Sequence, residues 1–416
     1  MSALLSKQFE RLGRRTAVPF RVEFADGTAY RNRADEPVFT LRFRSGRAQW
    51  KTLLFGHLGI LESYFDGDVD VEGDVARVFR AGMDSGFNER VSPLVRVRNR
   101  WHELRYSNRS RRQAKANAVF HYALGTDFYR LWLDEQAMMY TCAYWKEGTE
   151  TLEEAQLNKN DHVCRKLRLE PGESLVDIGC GWGGLMFHAR AHYGVDATGY
   201  NATSEQVGAL RAEIRRRGLE PGLRVQEADF RDIDEQYDKA ASIGVLEHAG
   251  RDQLGESVQA LAACLKPGGL GVLHFIGHVE HRDTEFWIRK HIFPGGWIPS
   301  LSRTLDAMAA NGLEVLDVEN LRRHYAPTLD AWAERFDARW EAIHALDPER
   351  FDERFRRKWR TYLYACAEMF RSPNSRTHLF QITFSKGNVG SDYPMSRAYL
   401  YAGAASPPKP TGWQGD

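Results

Sequence analysis

The stretch Val176-Asp177-Ile178-Gly179-Cys180-Gly181-Trp182-Gly183-Gly184 decides the fold. A short apolar strand bearing Asp177 runs into a glycine-rich loop and then into a helix. Glycine adopts positive φ and lets the backbone approach a ligand closely. A strand end at the crevice of an open sheet is the usual ligand position. Alone, a G-x-G is weak evidence, but the pattern continues. Leu185–Tyr193 reads as a helix, Val195–Tyr200 as a strand and Ser204–Arg217 as a helix. Strands follow at Leu223–Glu227 and Lys239–Ile243, then a helix at Gln253–Leu265 stopped by Lys266-Pro267-Gly268-Gly269, then a strand at Leu270–Ile276. Such alternation predicts an α/β fold with a parallel sheet and helices on both faces. Glu314–Glu319 and Leu379–Ser385 supply the remaining strands, and Thr328–Phe370 reads as a helical cap.

Outward from this core, the chain divides. Residues 1–90 read as a small α+β module, with strand-like alternation at Phe20–Phe24 and Val38–Phe43 and a turn at Asp26-Gly27. It carries no catalytic constellation and is expected to be an accessory, lipid-docking domain. Residues 91–118 form a basic linker: Arg96, Arg98, Arg100, Arg105, Arg109, Arg111, Arg112 and Lys115 face the single acid Glu103, with Trp101, Leu104 and Tyr106 interleaved. Such a segment is either a solvated helix or a surface attracted to anionic lipid headgroups. The catalytic segment is expected at 119–390, and 391–416 as a flexible tail.

Composition narrows the function classes. In 416 residues, 57 Lys+Arg balance 56 Asp+Glu, so a generally basic nucleic-acid binder is disfavoured, and no nucleic-acid motif is present. The five cysteines, Cys142, Cys164, Cys180, Cys264 and Cys366, are scattered without a C-x-x-C. A disulfide framework and a cysteine metal site are therefore not expected, and a reducing cytoplasm fits. No apolar run reaches the roughly 18 residues of a membrane span. Peripheral attachment to the inner face of the membrane is the expectation.

The glycine loop resembles the nucleoside-binding loop of class I S-adenosylmethionine (SAM) methyltransferases. Gly179, Gly181 and Gly184 also satisfy G-x-G-x-x-G, but the ribose acid of dinucleotide enzymes is missing where Tyr200-Asn201 stands. The resemblance implies a Rossmann-like sheet with SAM held by Asp177, Gly179, Gly181, Trp182 and Gly183. It also implies that Asp229 faces the adenine and Phe230 covers it, though Asp229 could equally cap a helix. Asn201, Thr203 and Gln206 stand where many relatives place a ribose acid, and Ser204 could be only an N-cap.

A second constellation is more specific. His121-Tyr122-Ala123-Leu124-Gly125-Thr126-Asp127-Phe128-Tyr129 leads into Met139-Tyr140-Thr141-Cys142-Ala143-Tyr144-Trp145. With Leu246-Glu247-His248, Leu273-His274-Phe275-Ile276-Gly277, Ile292-Phe293-Pro294-Gly295-Gly296, His324-Tyr325, Tyr364-Ala365-Cys366-Ala367 and Gln381-Ile382-Thr383-Phe384-Ser385, it resembles the cyclopropane-fatty-acyl-phospholipid synthase family. Ala123, Thr126 and Thr141 depart from that family's usual Asp, Asn and Ser. The resemblance implies transfer of the SAM methyl to a cis double bond of a phospholipid acyl chain, with Tyr140 and Thr141 at the cofactor. It further implies a bound bicarbonate as the ring-closing base, held by Cys142, Glu247, His274, the backbone at Ile276 and Tyr325. Cys366 matches a position long regarded in the family as the active cysteine, although its helical neighbours suit packing. No metal is expected, and a homodimer is left open.

Taken singly, each residue has a plainer explanation: Cys142 as a buried hydrophobe, Glu247-His248 as a helix cap, His274 as a satisfied core histidine. Together with the glycine loop they read as a site. Three alternatives stand beside the cyclopropane: a methyl-branched or methylene product from the same alkene, N-methylation of an amine, and a non-catalytic lipid-binding protein.

Overall fold

Apolar residues at every second position give the N-terminal module its sheet. β1 (Phe20–Glu23), β2 (Ala29–Arg31), β3 (Phe39–Phe43) and β4 (Val69–Gly73) pair in the order β2-β1-β3-β4. Phe20, Val22, Phe39, Leu41 and Phe43 bury one face against Phe9 and Phe65. The Asp26-Gly27 turn forms as expected, with Asp26 Oδ1 accepting from Thr28 N at 3.2 Å. The computed structural model describes residues 2–86, 93–108, 110–122 and 124–401.

The described residues form two compact units, each discontinuous in sequence. The first joins the N-terminal module, through Arg105, to Phe286–Ile292 and Leu329–Arg376. Much of the helical cap expected within 119–390 thus packs with the N-terminal sheet. Arg357, on the helix Glu353–Arg371, explains why: it donates to the carbonyls of Tyr64 (2.9 Å) and Val69 (3.1 Å) and pairs with Asp70 (2.9 Å).

The second unit holds seven strands: β5 (Ser174–Ile178), β6 (Asp196–Asn201), β7 (Leu223–Glu227), β8 (Tyr237–Ile243), β9 (Leu265–His278), β10 (Leu313–Asn320) and β11 (Thr377–Lys386). Their order is β10-β11-β9-β8-β5-β6-β7. Pairings among β5 to β9 are parallel, as the alternation predicts. β11 runs antiparallel to both β9 and β10, a sense that the expected strand pattern left unstated. The crossover from β9 to β10 leaves a one-strand gap, and hydrophobic periodicity carries no information about the sense of the strand that fills it. Helices bury apolar stripes on both faces, with Leu185, Val207 and Leu210 in one core and Val258 and Leu261 in the other.

The basic segment is helical at Pro93–Arg105 and Arg111–Tyr122. The tail expectation needs correction at its start: Ala398–Tyr401 is helical, Leu400 is buried, and Arg397 pairs with Asp317. Residues 402–416 lie outside the described residues. Among those described, no helix is long and apolar enough to cross a membrane.

Candidate active site

A cavity of about 360 Å³ opens at the carboxyl ends of β5, β6 and β8, within the size range of small-molecule sites. Tyr140, Thr141, Asp177, Gly179, Gly181, Trp182, Asn201, Thr203, Gln206, Asp229 and Phe230 all line it. Gly181 stands at φ +54°, and a Cβ there would meet open space, so its backbone faces the void directly. Gly183 alone of the expected cofactor residues does not line the cavity. It takes φ +83° before the helix Gly184–Tyr193, and a Cβ would strike Leu210 Cδ1 at 2.5 Å. Its absent side chain serves helix packing.

The end of β6 is a closed polar network. Asn201 Nδ2 donates to Gln206 Oε1 (3.0 Å), and Asn201 Oδ1 accepts from Thr203 N (3.0 Å). Thr203, rather than Ser204, takes the N-cap position, and Ser204 instead donates to Glu227 (2.7 Å). Asp229 is a cap, at the turn Phe230–Asp232, and it also stands at the cavity. It pairs with Arg231 through both oxygens (2.7 and 2.6 Å).

The second cluster sits where β8 and β9 end. Glu247, in a short turn after β8, accepts from Ile276 N at 2.7 Å through Oε1. That corrects the expectation that the Ile276 N–H serves an anion directly: a buried carboxylate has taken the nearest backbone donor. The other oxygen, Oε2, is buried with no partner among the described residues. Burial pushes Glu247 up to about 7. His274 lies opposite Gln381 in the β9–β11 register. The Gln381 amide nitrogen faces His274 Nδ1 (3.1 Å), an orientation that places the ring proton on Nε2. That Nε2 is likewise buried and unpartnered, and burial holds His274 down at about 3, hence neutral.

Cys142 and the helix bearing Tyr325 are drawn together by Thr328. Its hydroxyl accepts from Ala143 N (3.2 Å) and Trp145 Nε1 (3.0 Å), while His324 Nδ1 accepts from Trp145 N (2.9 Å). Tyr325 is buried one position from His324. The Cys142 thiol donates to the Ala143 carbonyl (3.3 Å), and burial drives it strongly towards the neutral form. Cys366 belongs to the first unit, buried in the helix Glu353–Arg371, with its thiol pushed up to about 12. Nothing there activates a nucleophile.

Thr328 and Asp134 escaped the sequence reading as site residues, and Gln381 entered it only within a motif. Asp134 is fully buried and accepts from Ala137 N (2.7 Å) and Met139 N (2.8 Å), shaping the approach to Tyr140. Only its burial distinguishes it from an ordinary loop acid. Arg111, counted as a basic linker residue, lines the cavity and pairs with Glu256 (3.0 Å) and Asp232 (3.2 Å).

Comparison with known proteins meets this geometry. The family model for mycolic acid cyclopropane synthetase matches residues 109–382. A cyclopropane-fatty-acyl-phospholipid synthase of Escherichia coli is 35% identical over 81% of this chain and 85% of its own length. Cyclopropane mycolic acid synthase 1 of Mycobacterium tuberculosis is 34% identical over 62% of this chain and 92% of its own. The solved structure of a Mycobacterium tuberculosis cyclopropane synthase superposes with a TM-score of 0.61, at 32% identity, covering 65% of this chain and 98% of that one. A glycine loop at a parallel strand end, a cavity beside it and these relatives lead to one conclusion: the chain belongs to the mycolic acid cyclopropane synthetase family and is a SAM-dependent methyltransferase.

Proposed function

We propose that the chain transfers the methyl of SAM to a cis double bond in phospholipid-bound unsaturated acyl chains and closes a cyclopropane ring, with bicarbonate as the base. The observation that carries this is the pair of unpartnered buried atoms, His274 Nε2–H and Glu247 Oε2. A donor on β9 and an acceptor carboxyl bonded two residues along the same strand, at Ile276 N, suit an anion that also bears an OH. Buried polar atoms of a native protein ordinarily have partners. The phospholipid substrate is supported by the Escherichia coli relative, whose match extends over 81% of this chain against 62% for the mycolic acid enzyme.

Bound SAM supplies an electrophilic methyl group. Asp177, Gly179, Gly181, Asn201, Gln206 and Asp229 hold its site, and the walls fix the alkene for attack. The alkene π pair would form the new C–C bond to that methyl as its S–C bond breaks, the pair leaving on sulfur as S-adenosylhomocysteine, with a cation left on the chain. His274 Nε2–H and Glu247 Oε2 would hold the base that takes a proton from the former methyl, and the C–H bonding pair would close the ring. Glu247, braced by Ile276 N–H, also sets negative field against the cation. Mass spectrometry and NMR of lipids from cells expressing the protein test the reading. Cyclopropane protons are expected; a methyl-branched or methylene product, with no ring, would overturn it.

The same reading includes peripheral attachment to an anionic membrane surface on the cytoplasmic side. The helix Pro93–Arg105 exposes Arg96, Arg98 and Arg100 beside the apolar Val97, Trp101 and Leu104, a mixture that suits an interface. Arg111 and Lys115 are engaged with acids, and Arg109 lies outside the described residues. Exposed Arg96 and Arg112 are therefore the informative pair. Reversing both to Glu should weaken co-sedimentation with anionic vesicles by at least about 2 kcal/mol, roughly 30-fold or more at low salt. Unchanged sedimentation would remove this segment from docking.

A further inference from the structure

The helix Leu152–Lys166 starts with a full capping box, Thr151 with Glu154, and then does something unusual for a helix interior. Gln156, Lys159 and Asn160, at i, i+3 and i+4, are all completely buried. Gln156 Nε2 donates to the carbonyls of Thr141 (2.8 Å) and Met139 (3.4 Å). Lys159 Nζ donates to Thr141 Oγ1 (3.3 Å). Asn160 Nδ2 donates to Gly184 O (3.3 Å), at the start of the helix that follows the glycine loop. One polar stripe therefore grips two walls of the cavity, Met139–Thr141 and the glycine-loop helix.

A lysine with no exposure is costly unless opposite charge faces it. We propose that Lys159 is a positioning residue for the cofactor, fixing Thr141 by its hydroxyl and supplying the positive charge opposite the Asp177 carboxylate on the cavity wall. The inference rests on the SAM reading of that cavity. The groups that act with or on Lys159 come from every neighbouring element: Asp134, Asp177 at β5, Cys142, Cys164 on its own helix, His188 on the glycine-loop helix and His274 on β9. Burial raises Asp177 to about 7, and Lys159 pulls it back. Burial lowers Lys159 to about 8, and Asp134 and Asp177 oppose that.

The sign is then fixed. Ionised Asp177 attracts a cationic ligand and protonated Asp177 does not. Removing the Lys159 charge raises Asp177 further, so SAM binding weakens near neutrality and recovers in alkali. Above about pH 8 Lys159 loses its own proton, so parent and variant converge. A residue that merely filled space would shift affinity equally at every pH.

Calorimetric titration of SAM from pH 5.5 to 9 into the full chain tests this, comparing parent, Lys159→Met and Asp177→Asn. For Lys159→Met we expect the acid limb to move up by about one pH unit or more, with SAM affinity roughly tenfold weaker at pH 7 and near parental at pH 9. Asp177→Asn should abolish the limb. A folded Lys159→Met protein with a parental limb overturns the proposal. Should that variant fail to fold, a limb that survives in Asp177→Asn overturns it equally. Absence of SAM binding by the parent at any pH would sink the SAM reading itself, a result distinct from both.

Discussion

Replacing Glu247 with Gln lowers turnover by about 10²-fold or more and leaves SAM affinity near that of the parent. The amide keeps the size of the carboxyl and can still accept from Ile276 N–H through its oxygen. It loses the negative charge and turns an N–H pair towards the place where His274 Nε2 also donates. The anion's oxygens can still accept, but its OH loses the acceptor that Glu247 Oε2 supplies, so it is no longer oriented as a base. Parent turnover should fall as pH drops through about 7, where buried Glu247 takes up its proton, and the Gln variant should lack that limb. Stability moves the other way. A carboxyl whose folded pKa is raised costs the folded state most above that pKa, so the Gln variant should be at least as stable as the parent at pH 8. Thermal unfolding, SAM titration and product formation on one preparation separate these effects. Parental turnover in a folded variant, with an unchanged response to added bicarbonate, would remove Glu247 from the chemistry.

Gly181→Val should abolish measurable SAM binding. The backbone there sits at φ +54°, a region in which a β-branched residue is a genuine outlier. Its side chain would project into the open space of the cavity, since nothing lies within 4 Å of a Cβ at this position. Strain of about 1–3 kcal/mol should lower the unfolding temperature without preventing folding, because the β5 core around Val176 and Ile178 is untouched. Circular dichroism and calorimetry together check this. A folded Gly181→Val protein that binds SAM as the parent does would mean that the ligand lies elsewhere.

Much of the second unit was legible because each strand of its sheet is a short apolar run punctuated by glycine or a helix. The sense of β11 was not, because an apolar run such as Leu379–Phe384 pairs equally well in either direction. The partition into units also escaped sequence reading. Arg357 reaches Asp70 and the carbonyls of Tyr64 and Val69 across nearly three hundred residues, and a basic residue on an amphipathic helix gives no sign of such a partner. At the site, the family resemblance marked Glu247 and His274 but not who satisfies them. The Ile276 N–H was expected to face an anion, and only the fold reveals that Glu247 occupies it. Lys159 reads in sequence as one more helix-surface lysine, and its meaning lies in a burial that composition cannot express.

The late insertion of β11 between β9 and β10 bears on how the protein is made. On the ribosome, β9 and β10 emerge long before Thr377–Lys386. Until then β9 is an open edge carrying Val272, Leu273 and Phe275, a template for pairing with another chain. His274 meanwhile lacks the Gln381 amide that fixes its proton on Nε2. The nascent chain can therefore have a complete glycine loop while His274 still lacks its partner. Synthesis itself orders the two halves of the active centre, and the interval between them is when the chain most needs protection from its neighbours.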